Sequence, residues 1–259
     1  MKYSRKLIIM GFLFSVAGIR ILAAADSREL HDELHSLRRM YDAKSLEELH
    51  NTILENDGQK LKTYEEKMNA AEGYLFRADE SRYERYGLEL TDKEIKKYRK
   101  RQAAWGSDGL KLARDALKLA ETSQQKVDAM RVMSELYAHQ ITGVFSAASK
   151  GPDAKFRLEE ALKINPDDPE CNRVLGIMYL YNPVSCDGDV KKAIESFQKA
   201  IQEKPDEDIF YYYLSLAYQA DQDQPKALEA AEHAIELNER NIYAVHLKNS
   251  LVNPGGDAK

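Results

Sequence analysis

Between residues 169 and 237, large apolar, small and aromatic side chains return twice in the same order, with polar residues between them. The first stretch runs Leu175, Gly176, Tyr179, Ala193, Phe197 and Ala200, closed by Pro205; the second runs Leu214, Ser215, Tyr218, Ala227, Ala231 and Ala234. Steps of three and four residues put each set on one face of a helix. Small residues let two helices touch and the bulky ones fill the spaces beside them, so the predicted unit is a helix–turn–helix pair. Tyr218 and Ala227 are nine positions apart, but Tyr179 and Ala193 are fourteen apart. The turn around Asn182-Pro183-Val184-Ser185-Cys186 therefore holds five extra residues before the chain restarts at Gly188-Asp189.

Upstream the pattern thins. Ala154–Ile164 reads as the second helix of an earlier pair, ended by Asn165-Pro166-Asp167-Asp168-Pro169. Its first helix is expected over 124–142, with Met133, Ser134 and Tyr137 in the matching places and a loop over 143–153. Leu110–Ala120, Lys60–Tyr86, Ser45–Glu55 and Arg28–Tyr41 are expected helices, the last two as a first pair. Thr91 and Glu94 form a capping box that starts an inserted basic helix over 91–105. Ile95, Tyr98 and Trp105 share one face of it, and Lys96, Lys97, Arg99, Lys100 and Arg101 mostly occupy the others. Ile242–Val252 is a final helix that caps the array. No proline occurs from 26 to 151, which with abundant Leu, Ala, Glu, Lys and Arg favours helix throughout.

The order of residues over 153–241 resembles the tetratricopeptide repeat, a helix–turn–helix unit of roughly 34 residues. The resemblance implies an all-α fold: a right-handed superhelical array of antiparallel helix pairs, about four or five of them, with a C-terminal cap. It divides the chain into an N-terminal helical region (26–106), degenerate repeats (107–168), two clear repeats (169–207 and 208–241) and a cap with tail (242–259). In this family the first helix of each pair lines a concave groove that holds a protein or peptide ligand. Carried over by position, the groove residues are Asp128, Arg131, Glu135 and His139, then Arg173, Ile177, Leu180 and Tyr181, then Ile209, Tyr212 and Gln219. The clamp that grips a C-terminal carboxylate needs Lys and Asn where Arg131 and Glu135 stand, so that partner is not expected. The inserted turns and Asp187-Gly188-Asp189 also resemble the periplasmic repeat subunit associated with TRAP-type transporters, which implies an apolar small ligand as the alternative.

Charge and targeting narrow the setting. Lys2, Arg5 and Lys6 precede an apolar run from Leu7 to Ile19, and Ala23-Ala24-Ala25 offers a cleavage site, the order of a secretory signal over 1–25. The run is shorter than the ~20 residues of a membrane span; an uncleaved N-terminal anchor is the alternative, and the only membrane contact expected. Removing those residues takes the net charge from −5 to −9, which gives no electrostatic reason to bind nucleic acid. An exported scaffold, periplasmic or secreted, is the expectation.

Chemistry is sparse. No Gly-rich phosphate loop, G-x-S-x-G or C-x-x-C is present, and neither enzyme activity nor a cofactor is expected. Cys171 and Cys186 flank a helix that would hold them roughly 15 Å apart, too far for a disulfide. His31 and His35 have the i, i+4 spacing of a metal pair, but the sequence identifies no third ligand. They are read as helix-surface histidines, with no metal site.

Overall fold

The computed structural model describes residues 27–55, 61–80 and 90–253. The expected signal at 1–25 lies outside them. The described residues form α1 (Ser27–Arg39), α2 (Ala43–Glu55), α3 (Tyr64–Glu80), α4 (Asp92–Leu119), α5 (Ser123–His139), α6 (Val144–Ile164), α7 (Pro169–Tyr181), α8 (Val190–Glu203), α9 (Asp208–Ala220), α10 (Gln224–Leu237) and α11 (Ile242–Val252). A 3-10 turn, Val184–Cys186, occupies the inserted loop. The architecture is an all-α right-handed superhelix in which α3 pairs with α4, α5 with α6, α7 with α8 and α9 with α10, and α11 covers the end.

Side-chain caps set where the clear repeats begin. Asp168 accepts from the Cys171 N–H at the start of α7, with Pro169 in the first turn where no donor is needed. Asp189 caps α8, Asp223 caps α10 and Asn241 caps α11 in the same manner. Close packing then follows from the small residues. A Cβ on Gly176 would sit 2.5 Å from the Phe197 ring, so only glycine admits that ring between α7 and α8. In the N-terminal part, a Cβ on Gly73 would sit 2.2 Å from His50. That imidazole is fully buried and bonded through Nε2 to the Ala70 carbonyl at 3.0 Å.

Two expectations need correction. The basic stretch is not a separate inserted helix over 91–105. The Thr91–Glu94 capping box does start a helix, but α4 runs unbroken to Leu119, through the boundary expected at 106/107. Gly106 and Gly109 do not break it. Each meets α5 instead: a Cβ on Gly106 would lie 2.8 Å from the Leu136 carbonyl, and one on Gly109 would lie 3.0 Å from the Leu136 side chain. Nor is 143–153 a loop. The Ser146 hydroxyl accepts from the Thr142 and Gly143 N–H groups and starts α6 there. Pro152 is carried inside the helix at an exposed position, where water can reach the carbonyl deprived of its donor. The long helix expected over Lys60–Tyr86 is α3; within the described residues it spans Tyr64–Glu80.

The first helix has the least expected position. α1 lies along the concave side and joins both ends of the array. Arg38 pairs with Asp79 of α3 at 3.6 Å and stacks 4.5 Å over Phe76. Just past α1, Tyr41 donates to Asp208 of α9 at 3.1 Å and meets the Tyr243 ring of α11 edge-on. Asn238, after α10, donates to the Arg39 carbonyl at 3.0 Å.

Two glycine substitutions separate close approach from backbone propensity. Gly176→Ala should destabilise the fold by about 1–3 kcal/mol through overpacking against Phe197. Gly151→Ala on α6 meets nothing beyond its chain neighbours, and its gain in helix propensity is offset by the Pro152 ring beside the new Cβ, so stability should change by less than about 1 kcal/mol. Urea unfolding of both variants reads the difference.

Candidate binding cavity

The concave side of α3, α5 and α7 carries an alternating run of acids and bases. Glu72 Oε1 accepts from Arg131 Nη2 at 2.9 Å, and Arg131 Nη1 donates to Glu135 Oε1 at 2.9 Å. Glu135 Oε2 accepts from Arg173 Nη2 at 2.7 Å, and Arg173 Nε donates to Glu170 Oε2 at 2.7 Å. Glu72, Arg131, Glu135 and Arg173 are all buried, Arg173 to 2% exposure. A lone buried charge would be very costly, so each is held by partners on both sides.

Electrostatics follow from that geometry. Burial alone would raise the Glu72 carboxyl, but hydrogen bonds from His31 and His35 and the charges of His35 and Arg131 hold it well below its ordinary value. Burial likewise opposes ionisation of Glu170, and Arg173, Arg131 and Arg38 outweigh it, lowering its pKa to about 2. His50, in the core below, is pushed down to about 3 by burial and the Arg77 charge.

Over this floor lies a cavity of about 900 Å³ roofed partly by α1. Its wall combines Tyr64, Tyr181, Tyr212, Tyr213 and Tyr243 with Asp128, Glu170, Lys204 and Glu207. From α1 and the turn after it come His31, His35, Arg38 and Tyr41. The Nε of Arg131, a wall residue, is buried without a hydrogen-bond partner.

The residues expected to line a groove divide into three groups. Asp128, Arg131, Tyr181, Ile209 and Tyr212 line the cavity. Glu135, His139 and Arg173 are buried at its base, spent on neighbours within the protein; His139 Nε2 lies 3.0 Å from Asp79 Oδ1. Ile177 and Leu180 pack on the core cluster of Phe197 and Leu214, while Gln219 is exposed away from the cavity. Sequence reasoning missed the whole contribution of α1. Its Leu30, Leu34 and Leu37 announce an amphipathic helix, but nothing local says that its polar face closes over a groove.

The metal reading of His31 and His35 also changes, because the fold supplies the third ligand type that the sequence hid. Both imidazoles face Glu72 Oε2. Both cysteines are free; Cys171 is buried and Cys186 exposed. The basic residues Lys96, Lys97, Arg99 and Lys100 of α4 are exposed, while Arg101 lies over the Tyr98 and Trp105 rings.

No family model matches the chain, and no curated protein matches it in sequence. Solved structures match its fold. A thermophilic tetratricopeptide-repeat protein of Thermus thermophilus is 13% identical, with a TM-score of 0.61 over 88% of this chain and 99% of that one. YrrB, a repeat protein described as having an unusual peptide-binding site, is 16% identical over 94% of this chain and 96% of its own, with a TM-score of 0.40. The TPR2AB domain of yeast Sti1 in complex with pHSP90 is 15% identical over 88% and 98%, with a TM-score of 0.39. The first likeness places the fold among tetratricopeptide-like helical arrays, as the residue pattern implies.

Truncating Arg173 to Ala should cost about 3 kcal/mol, because it leaves Glu135 with Arg131 alone and takes from Glu170 the cation bonded to it; equilibrium denaturation reads this. The acid limb should reflect His50 and Glu170 together. The unfolded chain protonates His50 below about 6.5 and Glu170 below about 4.5, while the folded protein resists to about 3 and about 2. Their contribution is therefore complete above pH 6.5 and is lost as the pH falls towards 2. Glu170 keeps 26% exposure, so water screens its share. Denaturation midpoints from pH 7 down to pH 3 should fall steadily, and His50→Gln should flatten the part between pH 6.5 and 4.

Proposed function

We propose that the chain is an exported scaffold that holds a segment of another protein in the cavity between α1 and the concave helices. The observation that carries this reading is the cavity wall. Five tyrosines from α3, α7, α9 and α11 stand beside acids and bases in one concave space of about 900 Å³. Tyrosine offers a large rigid surface at low entropic cost together with a hydroxyl that bonds to peptide groups. The interspersed Asp128, Lys204 and Glu207 can then select among charged side chains. An apolar small ligand, the alternative, has less support from a wall so rich in charge.

The groove arginines do not serve as binding probes, because Arg131 and Arg173 hold the floor together. Tyr181 does: it lines the cavity and is 62% exposed, so changing it leaves the core alone. A photo-crosslinking amino acid at position 181 should capture a protein partner, whereas the same group at Gln202, exposed on α8 and away from the cavity, should not. Tyr181→Ala should weaken the captured partner by at least about 1 kcal/mol, roughly fivefold. Equal capture from both positions would remove the cavity as the binding site.

Export rests on the residue order at 1–25. No helix among the described residues is long and apolar enough to cross a membrane. Mass spectrometry of the protein recovered from the cell envelope should find an N-terminus at Asp26. Recovery of the intact chain from the cytoplasm would end the proposal of export.

A further inference from the structure

His31 and His35 stand one turn apart on α1, so their rings project from the same face. The ring centroids are 4.3 Å apart. Opposite them, Glu72 rises from α3 and is almost fully buried. His31 Nδ1 and His35 Nε2 each lie 3.3 Å from Glu72 Oε2, and all three atoms fall within 4.8 Å of one another. We infer that these three side chains form a binding site for one divalent transition-metal ion of the zinc class, which fastens α1 to the array.

The distances are long for charge-assisted hydrogen bonds and suit a metal between the same atoms. A charge-assisted N–H to carboxylate bond closes to about 2.7–2.9 Å. A tetrahedral zinc ion with bonds of about 2.0–2.1 Å holds its ligand atoms about 3.3–3.4 Å apart. Both imidazole-to-carboxylate separations match the second value, and one oxygen serves both rings. Two imidazoles and a carboxylate also suit zinc and its first-row neighbours, whereas calcium and magnesium require oxygen ligands.

The surroundings complete a metal site. Arg131 holds the other oxygen of Glu72, and the Phe76 ring stands edge-on to His35 at 5.1 Å. Such outer contacts fix ligand orientation. The imidazoles themselves are open on the cavity side, with side-chain exposures of 46% and 38%. A fourth coordination position can therefore hold water or a ligand from the cavity. The site stands apart from the identity of any partner protein, because it needs only α1 and α3.

The test is a zinc titration of the purified chain against a competing chromogenic chelator. The exposed Cys186 is replaced by Ser in every sample, so that its thiol does not compete. One equivalent should bind. His31→Ala and His35→Gln should each weaken it by about tenfold or more, while His233→Ala on α10 should leave it unchanged. Gln at position 35 can still bond to Glu72 but supplies no imidazole, so it separates ligation from hydrogen bonding. Zinc should also slow proteolysis within α1, and the His35→Gln chain should lose that protection. Cobalt in place of zinc should give the intense visible absorption of a four-coordinate ion. Absence of stoichiometric binding, equal affinity in the His35→Gln chain, or a weak six-coordinate cobalt spectrum would each overturn the site.

Discussion

The concave side of this array depends on charges that neutralise one another in turn. Helix pairs in a superhelix meet their neighbours through small apolar residues, and that packing sets distance but not identity. From Glu72 through Arg131, Glu135 and Arg173 to Glu170, each ion is shared between two opposite ones, and the run crosses from α3 to α5 to α7. Removal of any interior member takes one opposite charge from each of its two neighbours in a largely dry site. A hydrophobic face could slide or repack there; alternating charge has one register.

That run also explains how a binding surface and a structural floor can occupy the same side. The arginines and acids of α5 and α7 that would face a ligand in an open groove are turned to each other instead. On the proposed reading, the surface left for a partner lies one layer higher, in the tyrosines at the rim and in the polar side chains of α1. That reading shifts function from the repeats themselves to the helix laid over them.

The repeated pairs were legible in the chain because their signal is local. Gly176 and Phe197 are what a close helix crossing demands, and Asp168, Asp189 and Asp223 mark helix starts by a bond within three residues. The loop expected over 143–153 is helix instead, with Pro152 carried at an exposed position where water can reach the freed carbonyl. The two glycines of α4 gave no hint of being contact points rather than breaks. For the cavity, Arg131 and Glu135 could be seen as a pair one turn apart, but Glu72 and Arg173 lie 59 and 38 residues from their partners. Glu72 has no periodic signature that would bring it to His31 and His35. Ionic partners at such separations are set by the superhelix, and a helical wheel of any one segment cannot contain them.

An open repeat array behaves as a linear chain of coupled units, each sensitive mainly to its neighbours, and it can melt inward from either end. α1 and the turn after it alter that behaviour. The bonds from Tyr41 to Asp208 and from Asn238 to Arg39 connect positions 167 and 199 residues apart. They turn a spring with free ends into a closed loop. Unravelling at the last repeats must break contacts made by the first helix, so the ends share one melting transition rather than fraying separately. Closure of so long a loop comes late and slows folding, since entropy is lost before the contacts form. The protein gives up the modular folding of a repeat array and gains a single cooperative body.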